Sequence, residues 1–171
     1  MNLAVHSVST ASDAERRDLF LGASARLGTA VQNIEKDFWV CWTLDALFNG
    51  LKAGGPRLLF KGGTSLSKAF GLIARFSEDI DITVFRDDLG QSAEIADLDA
   101  LSGKKRRARL DAIRDACQAY IAGPLTAQFT HLAASVIPEE RFRLETEPDD
   151  KDGQSLLFWY PAVTATTGDY I

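Results

Sequence analysis

The strongest constraint on this chain is a pair of glycines set between two changes of hydrophobic period. Leu58-Leu59-Phe60 is a short apolar run ended by Gly62-Gly63, which reads as a buried strand running into a turn. Residues 64–74 then place Leu66, Ala69, Phe70 and Ile73 on one helical face, with Thr64 near its start. Beyond it Ile80, Ile82 and Val84 alternate with Asp79, Asp81 and Thr83, the two-residue period of a half-buried strand. Strand, glycine turn, helix and strand follow within about 30 residues. The expected fold class is therefore α/β, in the α+β sense of a small mixed sheet flanked by helices.

The rest of the chain is read around that unit. Residues 12–27 form an expected helix with Ser12 and Asp13 as caps and Leu19, Phe20, Ala23 and Leu27 at helical spacing. A second helix is expected from about Asn33, as N-cap, to Leu51, with an apolar stripe of Ile34, Phe38, Cys41, Trp42, Phe48 and Leu51. Gly54-Gly55-Pro56 breaks it. The stretch 86–102 is acidic and irregular and reads as loop. A long helix is expected over about 103–122, closed by Gly123-Pro124, with a further helix near 125–135. Arg141 to Thr146 and Ser155 to Val163 read as two strands joined by a hairpin turn at Asp149 to Gly153. No linker or repeat divides the chain, so one domain is expected over 1–171: a helical part, 1–55, and an α/β core, 56–171.

Composition narrows the function classes. With 19 Lys+Arg against 24 Asp+Glu the net charge is −5, which argues against generic adhesion to nucleic acid without excluding a local basic groove. The longest apolar runs, such as Phe158 to Val163, fall far short of the ~20 residues of a bilayer crossing. The N-terminus carries no secretory signal pattern, so the cytoplasm is the expected compartment. Cys41 and Cys117 read as buried reduced thiols. His6 and His131 have no second ligand at zinc spacing.

The chemistry-bearing stretch is Lys61-Gly62-Gly63-Thr64-Ser65-Leu66-Ser67-Lys68 followed by Arg75-Phe76-Ser77-Glu78-Asp79-Ile80-Asp81. On a strand, Asp79 and Asp81 project to one face with Cα atoms about 6.5–7 Å apart. Two such carboxylates can hold Mg²⁺ against a nucleotide's phosphates, or simply form the polar face of an exposed strand. Gly62-Gly63 lets the backbone approach a ligand, and the helix start supplies N–H groups for phosphate. Ser65 and Ser67 add hydroxyls; Lys61 and Lys68 add cations. The Walker spacing does not fit here.

These residues resemble a known family. Gly62-Gly63-Thr64-Ser65 followed by Ser77-Glu78-Asp79-Ile80-Asp81-Ile82 looks like the first two motifs of the DNA polymerase β-like nucleotidyltransferase superfamily, and more narrowly like the AbiEii/AbiGii toxins, also called MenT-like toxins. Glu35-Lys36-Asp37-Phe38-Trp39-Val40 and Leu156-Leu157-Phe158-Trp159-Tyr160-Pro161 are further points of resemblance, which runs from about residue 30 to the end. The resemblance implies a nucleotidyltransferase-like fold and Mg²⁺-dependent transfer of a nucleoside monophosphate from a nucleoside triphosphate to an acceptor. RNA, and tRNA in particular, is the implied acceptor, in a toxin–antitoxin or abortive-infection setting with an antitoxin encoded nearby. Asp79 and Asp81 are the implied catalytic and metal-binding residues. Gly62, Gly63, Thr64, Ser65, Lys68, Arg75 and Ser77 are the implied nucleotide-binding ones. Lys36 is read as either a site residue or part of a solvated helix face, and Arg75 as a phosphate contact or a surface ion pair.

The superfamily's third carboxylate is expected just after a segment such as Tyr170-Ile171, where this sequence stops. The chain accordingly reads as the N-terminal part of a longer protein or a truncated copy, with an open sheet edge available for self-association. Glu145 and Glu147 are the internal substitutes. The alternative function is a truncated, non-catalytic nucleotide- or RNA-binding module. Lys104-Lys105-Arg106-Arg107-Ala108-Arg109 reads either as a solvated helix face or as an RNA or triphosphate contact.

Overall fold

A computed structural model describes residues 2–72, 77, 79–165 and 169–171. The first third is helical: α1 (Leu3–Ser9), α2 (Asp13–Leu27) and α3 (Val31–Asp45). Ser12 caps α2 by a reciprocal capping box, its hydroxyl accepting from the Glu15 amide while the Glu15 carboxylate accepts from the Ser12 amide. Only Phe20 of the expected apolar face is buried; Leu19 and Leu27 are exposed. α3 starts two residues before Asn33, behind Ala30, which makes no side-chain cap bond, and runs on through a π-helical turn, Ala46–Gly50.

Then come β1 (Leu58–Lys61), α4 (Gly62–Lys68), β2 (Asp81–Val84), α5 (Ile95–Asp99), α6 (Gly103–Tyr120), α7 (Thr126–Ala134), β3 (Arg143–Thr146), β4 (Leu156–Tyr160) and β5 (Asp169–Tyr170). The α+β class holds. The strands, however, form two antiparallel sheets rather than one mixed sheet: β1-β2, and β3-β4-β5 with β4 central. The β3–β4 hairpin pairs as its alternation predicts, Leu144 opposite Phe158, and β5 adds Trp159 opposite Tyr170.

Four local expectations change. β1 alternates between half-buried and exposed instead of being fully buried. The inward face of α4 is Thr64 and Ser65, while Leu66 and Phe70 are exposed. The 86–102 stretch contains a 3₁₀ turn at Arg86–Leu89 and α5. Gly123-Pro124 does not end α6: a π-helical turn, Ile121–Leu125, carries the chain into α7, its wider ring tolerating the missing proline N–H.

The core is aromatic. Trp39 stacks on Tyr160 (ring centroids 5.2 Å) and Trp42 on Phe158 (5.4 Å), with Phe129 edge-on to Phe158. α3, α7 and β4 are thereby clamped together, each aromatic pair adding about 0.5–1.5 kcal/mol beyond the area it buries. A second cluster of Tyr120, Ile121 and Leu125 packs against Leu58, Val84 and Leu156, seating the β1-β2 sheet on α6 and the π turn that follows it.

Candidate functional site

β1 passes into α4 without a loop. Lys61 occupies the N-cap position with no side-chain cap bond, and Gly62 turns the chain at φ +72°, in the left-handed region that favours glycine. The first N–H groups of α4 therefore have no side-chain acceptor. A Cβ at Gly63 would meet no atom within 4 Å, so the turn faces open space.

The same turn is buttressed from β2. Register pairs Lys61 with Asp81. The Asp81 side chain lies across Gly62, where a Cβ would fall 1.9 Å from Oδ2. Thr64, 1% exposed, donates its hydroxyl to the Asp79 carbonyl and lies 2.8 Å from Ser77 Oγ. Ser65 donates to the Gly62 carbonyl at 2.8 Å. Thr64, Ser65 and Ser77 thus tie the glycine turn to the backbone that carries Asp79. At the far end of the sheet the Arg57 guanidinium grips the Asp88 carboxylate at 2.8 and 3.1 Å, closing the β1-β2 ladder.

Asp79, Asp81 and Lys61 share the wall of a cavity of about 610 Å³ between the two sheets. Leu58, Ile82, Val84 and Phe158 supply apolar lining, and Glu147, next to β3 of the other sheet, also borders the cavity. Glu145, by contrast, accepts from Trp159 Nε1 at 2.7 Å and pairs with Arg143. A depression of about 810 Å³ between α1 and α2 holds none of the candidate residues. Lys68 is ion-paired with Asp37 of α3. Arg75 lies outside the described residues.

Helix α3 carries what the sequence reading missed. Glu35 is 1% exposed, and its carboxylate accepts from the Val163 amide (2.7 Å), the Thr164 amide (2.8 Å) and the Thr164 hydroxyl. Lys36 pairs with Asp169 at 3.0 Å, and Asp37 with Lys68. Three consecutive charges therefore join α3 to the strand β5, to the segment before it and to the glycine-turn helix. The signal was available: Glu35, Trp39, Trp42 and Ala46 stand at i, i+4, i+7 and i+11, one buried stripe. Nearby, burial pushes the Cys41 thiol above its ordinary value, Lys68 drawing it down and Asp37 raising it; it stays protonated and is a poor nucleophile.

A glycine turn opening a helix beside two aspartates, on a small α+β scaffold, is the organisation expected of a nucleotidyltransferase. The family model described as "Nucleotidyl transferase AbiEii toxin, Type IV TA system" matches residues 45–171, well over half of the chain, and the chain belongs to this family of nucleotidyltransferase toxins from toxin–antitoxin systems. That span includes the glycine turn, Asp79, Asp81 and the Leu156-to-Pro161 segment, and begins after Glu35 to Val40. No curated protein and no solved structure matches the chain. No helix among the described residues is long and apolar enough to cross a membrane.

Proposed function

We propose that this protein transfers a nucleoside monophosphate from a nucleoside triphosphate to an RNA acceptor and acts as the toxin of its pair. The observation that carries the reading is the packing of Asp81 on Gly62, which puts a cavity-lining carboxylate beside backbone N–H groups with no side-chain cap. In this reading the triphosphate lies along Gly62 and Gly63, with the α4 N–H groups and Lys61 facing its oxygens. Thr64, Ser65 and Ser77 hold the turn and the Asp79 backbone in place, a positioning role consistent with their burial and internal hydrogen bonds. Lys68 is held near the turn by Asp37.

The donor set fits Mg²⁺, which keeps several waters and takes one or two carboxylates together with substrate phosphates. Asp79 and Asp81 are two such oxygen donors lining one cavity, and the Asp81 carboxylate lies against the Gly62 backbone because no Cβ stands there. When bound, the ion would supply charge neutralisation on the triphosphate. The protein's own part is positioning: the β1-β2 ladder fixes Asp81 opposite Lys61, and the Thr64 hydroxyl, donating to the Asp79 carbonyl, holds the backbone of Asp79 just ahead of the strand.

One observation favours a second reading, a binding module without transfer: among the described residues, no three His, Cys, Asp or Glu side chains are grouped to hold a metal. The test is incubation of the protein with each α-³²P-labelled nucleoside triphosphate, Mg²⁺ and bulk tRNA. Labelled RNA is expected with the wild type and at least a 100-fold loss with Asp79→Asn or Asp81→Asn. Nucleotide binding by calorimetry without label transfer would select the module; neither binding nor label would overturn both readings.

A further inference from the structure

We propose that the amino-terminal end of α6 is the surface that holds the phosphodiester backbone of the RNA acceptor; the inference rests on the transfer reading above for its purpose, though not for its chemistry. Five of the first seven residues of α6 are cations, Lys104, Lys105, Arg106, Arg107 and Arg109, and none is acidic. Residues 103–108 are exposed around the whole circumference of the helix.

Nothing in folding favours that composition. The helix macrodipole is positive at this end and disfavours cations there. Lys104 and Arg107, and Lys105 and Arg109, stand three and four residues apart and repel. Ser102 occupies the N-cap position yet makes no side-chain bond to the helix, leaving first-turn N–H groups without a cap. The neighbouring acids offset one of the five charges: Asp99 meets Arg106 at 3.5 Å, while Asp111 and Asp115 both face Arg114. Arg109 is anchored on Gln91 and the Ser92 carbonyl. Among the described residues no ion pair is formed by Lys104, Lys105 or Arg107. A protein of net charge −5 therefore concentrates five cations on one exposed helix end, with an ion pair to only one of them among the described residues.

The chemistry of that end selects the partner. Residues 103–109 contain no large apolar side chain, so the end lacks the buried face of a membrane-surface helix. It also lacks the apolar centre of a protein interface. A polyphosphate backbone needs neither, since its binding is dominated by counterion release. Cys117, thirteen residues along the same helix, lines the cavity that holds Asp79 and Asp81. At 1.5 Å per residue the basic end lies about 20 Å from that point, which suits an acceptor several nucleotides long and not the triphosphate itself.

The test uses fluorescence anisotropy of a fluorescein-labelled 30-nucleotide hairpin RNA with a single-stranded 3′ tail, over 50–300 mM KCl. Three proteins are compared: wild type, the triple variant Lys104→Gln/Lys105→Gln/Arg107→Gln, and a charge-matched control, Arg17→Gln/Arg26→Gln/Lys52→Gln, altered elsewhere on the surface. The α6 variant is expected to bind at least 10-fold more weakly at 100 mM salt, with a log–log salt slope smaller by about 2 to 3, three phosphate contacts at ~0.7–0.9 each. The control should stay within 3-fold of wild type, and circular dichroism of all three should coincide. Failure of the wild type to bind the RNA, equal affinity of wild type and α6 variant, an equal loss in the control, or wild-type binding to phosphatidylserine vesicles in place of RNA would each overturn the proposal. Nucleoside triphosphate titrations run in parallel report on the transfer reading separately: their failure removes that reading and leaves the RNA comparison standing.

Discussion

The Asp81 carboxylate occupies the space in which a side chain on Gly62 would stand: an ideal Cβ there falls 1.9 Å from Oδ2 and 2.7 Å from Cγ. Gly62 also holds a φ of +72°. An L side chain in that region costs about 1–2 kcal/mol, and relieving the overlap moves Asp81 off the turn. Gly62→Ala is expected to lower unfolding stability by about 1–3 kcal/mol and to weaken nucleotide binding more than 10-fold. Urea denaturation and calorimetric titration with Mg²⁺ and nucleoside triphosphates measure the two effects. A variant matching wild type in both would show that the Gly62–Asp81 contact is dispensable.

Gly63 behaves differently although it is the next residue. Its Cβ position is empty to 4 Å and its φ is not in the left-handed region, so folding tolerates a side chain. Gly63→Val is expected to change stability by less than about 1 kcal/mol, the scale of helix propensity. It should nonetheless abolish nucleotide binding, because the branched side chain fills the approach to the backbone. Unchanged affinity in the same titration would refute the phosphate-turn role.

Glu35 is the group whose loss the fold should feel most. Its buried carboxylate is the acceptor for two amides and a hydroxyl at Val163 and Thr164, more than 120 residues away. Glu35→Leu leaves those donors buried without an acceptor and is expected to cost about 3–5 kcal/mol. Glu35→Gln keeps one carbonyl oxygen and should cost roughly half as much. The midpoint of urea unfolding reads both, and a Glu35→Leu loss under ~1 kcal/mol would remove the clamp from the account.

How much of this was legible depended on whether the signal was local. Hydrophobic period and turn chemistry placed the glycine turn, the β3–β4 hairpin and the Ser12 cap, because each is decided within a few residues. The helix faces were read less well. Leu66 and Phe70 promised an apolar inner face for α4, but the bonds from Thr64 and Ser65 to the turn and the Asp79 backbone won that side. Gly123-Pro124 looked like a stop, yet α6 and α7 pack on one cluster and a π turn spans the defect. Long-range pairings such as Lys36 with Asp169 join residues more than 130 apart, and no local pattern encodes them. At the candidate site, the expected strand with both aspartates on one face is shorter than its alternation suggested. β2 begins at Asp81, and Asp79 lines the same cavity from the segment ahead of it, held there by Thr64, while the approach of Asp81 to Gly62 depends on the β1-β2 register.

The hairpin turn gives the protein a defined acid response. Asp150 accepts from the backbone amides of Gln154, Asp152 and Ser155, and these bonds to its charged form bring its pKa down from 3.8 to about 2. Because the folded value is depressed, its contribution to stability is fully present above the unfolded value of 3.8 and is lost as pH falls through about 2. Asp150→Asn lacks the charge at every pH, so it should be less stable than wild type at neutral pH. The gap should close as both are acidified through that window. Urea unfolding of the two proteins at several pH values measures the gap, which cancels titrations common to both, such as that of Asp13, where burial raises the pKa but bonds from Arg141 and Arg16 bring it net down. A carboxyl ¹³C titration of Asp150 by NMR supplies the independent readout. A midpoint near the ordinary 3.8 and a gap constant with pH would show that the turn does not draw on the ionised carboxylate.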